Sequence, residues 1–374
     1  MLSLIEKPTL LLNPAIAQAN ITAMAKKIQA AGAVFRPHFK THQSAAVGQW
    51  FKANEIGVKA ITVSSLEMAS YFAQSGWKDI LVAFPVNLRQ INVINSLLAQ
   101  KVQLQVLVES PKTALQLNQA LQHPITVWIK IDTGYHRTGI EADKSPEELA
   151  QLLNIISACK NLNFSGFLTH AGHTYTAQNA QHATTLAQQS LQKLLALKKN
   201  YPNALLSAGD TPTCSLLDSL QHNGIDQWRP GNFVFYDLQQ YRLSACNLSQ
   251  IALCLACPVV AVHAHRNEAV LYAGAVHLSK DAAVLPQTQQ LSYGLAVALN
   301  DDGTWFFPDE VNPEANYIRA LSQEHAVLVG SSQFIKSLQA GQLIGILPAH
   351  ACLTAQAMGQ YILTQSFETL AMMR

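Results

Sequence analysis

Ala33-Val34-Phe35-Arg36-Pro37-His38-Phe39-Lys40-Thr41-His42 is a short apolar run, interrupted by Pro37, that ends in a lysine among cationic and imidazole neighbours. Residues 16–32 before it carry apolar side chains near a 3.6-residue period, so the pair reads as a helix feeding a strand, with Lys40 about where the strand gives out. Crowded by positive groups and partly desolvated, the Lys40 amine is expected to lose its proton readily, which suits condensation with an aldehyde or service as a base. An ordinary solvated lysine is the plain alternative, and the rest of the chain has to decide between them.

Working outward, the pattern of that first pair repeats. Apolar strands are expected at 33–39, 60–64, 79–84, 103–108, 126–132, 163–170, 205–208 and 227–229. Helical periodicity occupies 16–32, 65–75, 88–101, 111–121, 146–161 and 179–199. Strands alternating with helices indicate a parallel sheet, and eight units suggest closure into an α/β (β/α)8 TIM-like barrel. After Cys246 the pattern changes to strands at 259–263, 269–276, 290–298, 326–329 and 343–347 with little helix between them. The expected division is therefore a barrel over 10–245 and a β-rich domain over 246–374, the latter taking up residues 1–9. Leu10-Leu11-Leu12 reads as a strand that either domain could accept.

Composition narrows the partners. A chain of 374 residues, 49% hydrophobic, can bury one large core and a smaller one. A net charge of +2 with dispersed basic residues gives no nucleic-acid surface, so a small-molecule partner is favoured. No basic region precedes the first apolar residues and Pro8 follows at once, which argues against a secretory signal. The longest apolar stretch, 251–262, is too short to span a bilayer, so no membrane partner is expected. Six cysteines without framework spacing fit a reducing compartment, the cytoplasm. Cys254-Leu255-Ala256-Cys257 has C-x-x-C spacing, but no second pair completes a zinc site, and the run reads as a buried strand.

In such a barrel, reactive groups gather at the C-terminal ends of strands. Five polar clusters comply: Lys40 with its neighbours; Lys130-Ile131-Asp132-Thr133-Gly134-Tyr135-His136-Arg137-Thr138-Gly139; His170-Ala171-Gly172-His173-Thr174-Tyr175; Ser207-Ala208-Gly209-Asp210-Thr211-Pro212-Thr213; and Trp228-Arg229-Pro230-Gly231-Asn232. Gly209 and Gly231, each followed by polar residues, could present backbone N–H groups to a phosphate or could simply be turns.

In this order the clusters resemble the alanine racemase-like (fold type III) pyridoxal-phosphate enzymes, in particular the D-threonine aldolase and D-serine dehydratase branch, over nearly the whole chain. The resemblance implies a pyridoxal 5'-phosphate Schiff base on Lys40, Arg137 on the ring oxygen, Tyr175 as a ring contact, and Asp210, Thr211, Gly231 and Asn232 around the phosphate. Asp210 stands where that branch usually has serine; its carboxylate would repel phosphate, which leaves its backbone N–H for that role. Pro348-Ala349-His350-Ala351-Cys352 resembles the branch's metal motif and implies His350 and Cys352 as ligands. Two ligands one residue apart on an extended segment would project to the same side, and thiolate beside imidazole suits zinc.

The cysteine also resembles the dehydratases, the aldolases tending to aspartate. The implied function is a lyase of β-hydroxy-D-amino acids, a dehydratase of the D-serine or 3-hydroxy-D-aspartate type giving keto acid and ammonia. D-threonine aldolase-type cleavage to glycine and aldehyde is the alternative, followed by racemisation and by a non-enzymatic pyridoxal-phosphate-binding role. His38, His42, His170 and His173 are candidates for a further acid or base, none assigned. Relatives of this kind imply a homodimer.

Overall fold

The structure, a computed structural model, describes residues 2–53, 57–221 and 224–373. It contains two compact units, one spanning Thr22–Gly231, the other formed by the N-terminal segment up to Ile21 together with the chain from Asn232 onward. The divisions at Ile21 and Gly231 fall inside the 10–245 span drawn from sequence.

Strands follow one another as β1 (Thr9–Leu12), β2 (Val34–Phe35), β3 (Ala60–Val63), β4 (Asp79–Pro85), β5 (Gln103–Val108), β6 (Ile125–Lys130), β7 (Leu162–Leu168), β8 (Leu205–Ala208) and β9 (Gln227–Trp228). In the Thr22–Gly231 unit, β2 to β9 form one parallel sheet in the order β2-β9-β8-β7-β6-β5-β4-β3. The ends of that order are joined by a parallel bridge between His38 and Thr62. Thr62 N–H donates to the Pro37 carbonyl at 2.9 Å, and Phe39 N–H donates to the Thr62 carbonyl at 2.8 Å. The barrel is thus nearly closed. Regular β2 is two residues long, shorter than the expected 33–39, because Pro37 has no N–H to offer a neighbour.

The intervening helices start where side chains can cap them. Ser65 accepts from the Met68 N–H, Ser110 from Thr113 ahead of Pro111, and Asn179 from His182. Leu81, Leu107, Trp128 and Leu168 pack together as a fully buried cluster. Short helices Ala45–Ala53 and Thr211–Leu216 were not among the helical segments expected.

In the other unit the strands are β10 (Leu253–His263), β11 (Glu268–Tyr272), β12 (Ala283–Val284), β13 (Leu291–Ser292), β14 (Gly294–Leu299), β15 (Trp305–Phe306), β16 (Tyr317–Leu321), β17 (His325–Val329), β18 (Leu343–Pro348), β19 (Gln360–Leu363) and β20 (Thr369–Ala371). Antiparallel pairing runs β10-β11-β17-β16-β14-β18 and returns to β10, closing a small barrel. Strand β10 serves two sheet regions, since its first half also pairs with β1, and a register shift between Val259 and Ala261 bends it. Cys254 and Cys257 are fully buried in β10 and unpaired, as the strand reading expects. Among the described residues no helix is long and apolar enough to cross a membrane.

Candidate active site

A cavity of about 360 Å³ opens within the barrel unit. Lys40, Lys130, Arg137, Arg229, His38 and His170 line it with apolar and hydroxyl side chains, and no carboxylate does. Such a wall is built for an anion.

Lys40 sits in the turn just past the His38–Thr62 bridge, where its carbonyl accepts from the Gln43 side chain at 3.1 Å. Its side chain is exposed, so the partial desolvation expected from the sequence is corrected: the turn carries the amine beyond the packed strand ends. The buried amine is that of Lys130, at the end of β6, where burial first and then the Arg229 and Arg137 charges push its pKa down to about 7.

The loop after β6 is organised by one carboxylate. Asp132 Oδ1 accepts from the backbone N–H groups of Gly134, Tyr135 and His136 at 2.8, 3.0 and 3.1 Å. Gly139, with φ +110°, returns the loop against β6; a Cβ there would lie 2.7 Å from the Asp132 nitrogen. Arg137 stands on this loop over the Tyr135 ring, 4.8 Å from its centroid.

Two imidazoles on the wall are neutral, their pKa values held well below the ordinary one by burial and by the surrounding cations. His38 Nδ1 accepts from the Lys40 backbone N–H at 3.4 Å, so its Nε2 carries the proton. The Gly209 carbonyl can only accept, so His170 Nδ1, at 3.3 Å, donates to it and leaves an Nε2 lone pair. His42, in contrast, is fully buried against Phe39, Phe51 and Phe72 and accepts from the Ser44 N–H, a structural placement. His173 lies beside Tyr135.

Asp210 caps the helix Thr211–Leu216: its oxygens accept from the Thr213 N–H at 2.8 Å and hydroxyl at 2.9 Å and from the Thr174 hydroxyl at 3.0 Å. Burial raises its pKa to about 6. Thr211 N–H donates to the Tyr175 hydroxyl at 3.3 Å, bringing those two residues together. Gly231 packs against the chain: a Cβ there would meet the His38 carbonyl oxygen at 2.9 Å.

In the other unit, His350 stands in extended conformation just ahead of the helix Ala351–Met358, with no side-chain cap bond, while Cys352 lies in the first turn. The expected single extended segment is therefore corrected, yet the pair stays close: the Cys352 sulfur is in hydrogen-bond contact with the imidazole. His350 Nδ1 is 2.6 Å from Asp281 Oδ2. Burial opposes its charged form, but Cys352, Asp237 and Asp281 outweigh it and push the pKa up to about 10. Buried Asp237 accepts from the Ala351 N–H at 2.9 Å and from the Asn232 amide at 2.6 Å. That amide also reaches the Cys352 sulfur at 3.6 Å, so the Asn232 side chain, expected at a phosphate, is engaged with the His350–Cys352 turn. A histidine oriented through one nitrogen by a carboxylate, beside a thiol, fits a metal ligand pair. Among the described residues no cluster of three or more such ligands occurs.

The cavity's donor set fits a phosphorylated aldehyde equally well: an accessible amine, fixed cations, and no competing acid. Lys130 and Arg229 also line the cavity, and their alternate-residue spacing to Asp132 and Gln227 is the sequence signal that marks them. Asp281 lies about seventy residues from His350 and no motif marks it.

Comparison with known proteins agrees with this fold. Residues 13–239 match the family described as alanine racemase, N-terminal domain, and residues 252–364 match a putative serine dehydratase domain. The D-serine dehydratase of Dictyostelium discoideum is 28% identical over 378 residues, covering 95% of this chain and 92% of that protein. The D-threo-3-hydroxyaspartate dehydratase of Delftia sp. (strain HT23) is 29% identical over 357 residues, 92% of this chain and 90% of the relative. A solved structure of a D-threo-3-hydroxyaspartate dehydratase, a cysteine-to-alanine variant in the metal-free form, superposes with a TM-score of 0.87 at 26% identity, covering 99% of this chain and 98% of that one.

Proposed function

The chain belongs to the alanine racemase N-terminal domain family, and from that premise we propose that it is a pyridoxal-phosphate- and metal-dependent lyase that dehydrates β-hydroxy-D-amino acids to a keto acid and ammonia. The observation that carries the reading is the cavity wall: one accessible lysine among fixed cations and neutral imidazoles, without a carboxylate. Pyridoxal 5'-phosphate, when bound, supplies an aldehyde for amine condensation and a sink for the electrons released at the α-carbon.

Lys40 is assigned to the cofactor aldehyde and, once free, to removal of the α-proton. Arg137, steadied over Tyr135 by the Asp132-centred loop, is assigned to the cofactor ring oxygen. The backbone N–H groups of Asp210, Thr211, Gly231 and Asn232 are assigned to the phosphate, with Tyr175 beside Thr211 as a ring contact. The His170 lone pair is a second proton acceptor, and the His38 Nε2–H a donor.

His350 and Cys352 would hold a divalent ion, zinc by the softness of the thiolate, which would supply Lewis acidity to the departing hydroxyl. Asp281 orients the imidazole, and Asp237 holds the turn between the ligands. The reaction removes water from the substrate and adds it back on release, so D-serine gives pyruvate and ammonium. The same reading places the enzyme in the cytoplasm, in keeping with six unpaired cysteines, and makes it a homodimer like the relatives the sequence resembles.

Reduction of the cofactor-loaded protein with borohydride, followed by peptide mapping, tests the assignment of the amine. The tag is expected on Lys40; a tag on Lys130, or none, refutes it.

A further inference from the structure

The barrel interior holds a buried polar chain that ends at Arg229 on the cavity wall. Arg36, just after β2, makes a bidentate pair with Asp79, the first residue of β4, at 2.7 and 3.0 Å. Its Nε donates to Gln227 Oε1 at 3.1 Å. The Ser207 hydroxyl is 3.4 Å from that same oxygen, and Ser207 Oγ accepts from Arg229 Nε at 2.8 Å. Donor and acceptor senses are fixed along the chain: both arginines can only donate, the serine oxygen accepts from one of them, and its own proton is therefore free for the Gln227 carbonyl. Gln227 and Arg229 alternate along the β9 line and so point to the same side, while Ser207 is the parallel partner of Gln227. The chain thus leads from Asp79 to the wall of the cavity.

All but one of these groups are deeply buried: Arg36 and Arg229 are each 3% exposed, Ser207 0% and Gln227 7%. Buried ionic groups give little stability compared with well-packed apolar ones, and barrel interiors are ordinarily filled by branched aliphatic side chains. Arg229 is held on a second side by its Nη2, which donates to the Thr169 carbonyl. No carboxylate hydrogen-bonds it among the described residues, and its Nη1 has no hydrogen-bond partner among them. A guanidinium pinned at Nε and Nη2 and lacking a bonded counter-ion is prepared for one supplied from the cavity.

We propose that Asp79, Arg36, Gln227 and Ser207 are positioning residues that fix the plane of the Arg229 guanidinium on the cavity wall for an anionic ligand. Identification of that ligand with pyridoxal 5'-phosphate rests on the function proposed above; the geometry of the relay does not. Ser207 Oγ is the direct contact, Gln227 Oε1 gives that oxygen's proton a fixed acceptor, and the Arg36–Asp79 pair holds the Gln227 side chain in place.

Two measurements on the full-length protein test this. In cofactor-free protein labelled with 15N-arginine, Arg229 Nε–H should give a slowly exchanging signal, identified by its absence in Arg229→Lys. Ser207→Ala, which deletes one buried oxygen, should abolish the slow exchange. Absorbance titration with pyridoxal 5'-phosphate should then show Gln227→Met and Ser207→Ala binding about tenfold more weakly, the scale of one lost hydrogen bond to a charged group. Gln227→Glu, which retains the acceptor, should stay within about threefold of wild type on the same scale.

Slow Arg229 exchange and unchanged affinity in both Ser207→Ala and Gln227→Met, with only thermal stability reduced, would overturn the proposal and leave the chain as core filling. Should Gln227→Met fail to fold, Ser207→Ala decides alone. Wild-type protein that shows the arginine signal yet takes up no pyridoxal phosphate would refute the proposed function, while the exchange comparison would still decide the relay.

Discussion

Replacing Asp132 by alanine should loosen the barrel unit and the Arg137 loop together. Its Oδ1 accepts three backbone N–H groups within 3.1 Å, and the residue is 7% exposed. At a net value of about 1 kcal/mol per bond, the loss is about 3 kcal/mol. The His136 imidazole, 3.4 Å from the other oxygen but 62% exposed on its side chain, adds little to that figure. Asp132→Asn retains a neutral acceptor and should lose roughly half as much.

The pH dependence has a definite sign. Burial raises the Asp132 pKa, but hydrogen bonds from Gly134, His136 and Tyr135 more than offset it, so the folded value lies below the unfolded one. Its contribution is fully present above about pH 4 and is lost as pH falls through the folded value, so the wild-type advantage over Asp132→Ala should shrink in acid. Urea unfolding followed by tryptophan emission measures this, since Trp50, Trp77, Trp128 and Trp228 all lie within Thr22–Gly231. An Asp132→Ala protein within about 0.5 kcal/mol of wild type at neutral pH would refute the reasoning, because three satisfied backbone donors cannot then depend on that carboxylate.

Lys130 gives a pH signature of the same sign in a higher window. Its folded pKa of about 7 lies below the unfolded lysine value, so the unfolded chain binds more protons and this group's contribution to stability rises with pH from about 7 to about 10.4; the rise should vanish in Lys130→Met, measured by the same urea series. At the other unit, His350→Ala and Cys352→Ala should each abolish bound metal in elemental analysis and reduce turnover while the cofactor absorbance remains. Retention of one equivalent of metal by both variants would refute that ligand pair.

Much of this architecture was legible because burial on both faces leaves a plain mark. Residues 103–108 and 205–208 were delimited to the residue, and the parallel strands between helices require near-continuous apolar runs. Legibility failed where tertiary pairing or a cap governs. Pro37 shortens β2, and the barrel is continued past it by pairings invisible locally, the His38–Thr62 bridge on one side and the His38 N–H to the Pro230 carbonyl on the other. The helix Thr211–Leu216 follows no apolar period long enough to mark it in sequence; Asp210, which stands where a serine is usual, is its N-cap. Strands Tyr317–Leu321 and Gln360–Leu363 leave little mark in sequence: the first breaks its alternation at a register shift between Ile318 and Ala320, and the second alternates over only four residues.

The site was legible in its motif residues and opaque in its supports. Lys40, Arg137, His350 and Cys352 stand in short recognisable strings, whereas Asp281 reaches His350 and Arg36 reaches Gln227 only through folding, across 69 and 191 residues. Burial of Lys130 rather than Lys40 likewise depends on which amine the turn after β2 carries outward.

The most direct measurement is product analysis of purified, zinc-supplied, cofactor-loaded protein given D-serine, D-threonine and D-threo-3-hydroxyaspartate, with a chelator-treated control. The account predicts keto acid and equimolar ammonia from at least one of them, lost on chelation and restored by metal. Glycine and an aldehyde as the products, or no turnover of any of the three, would contradict it.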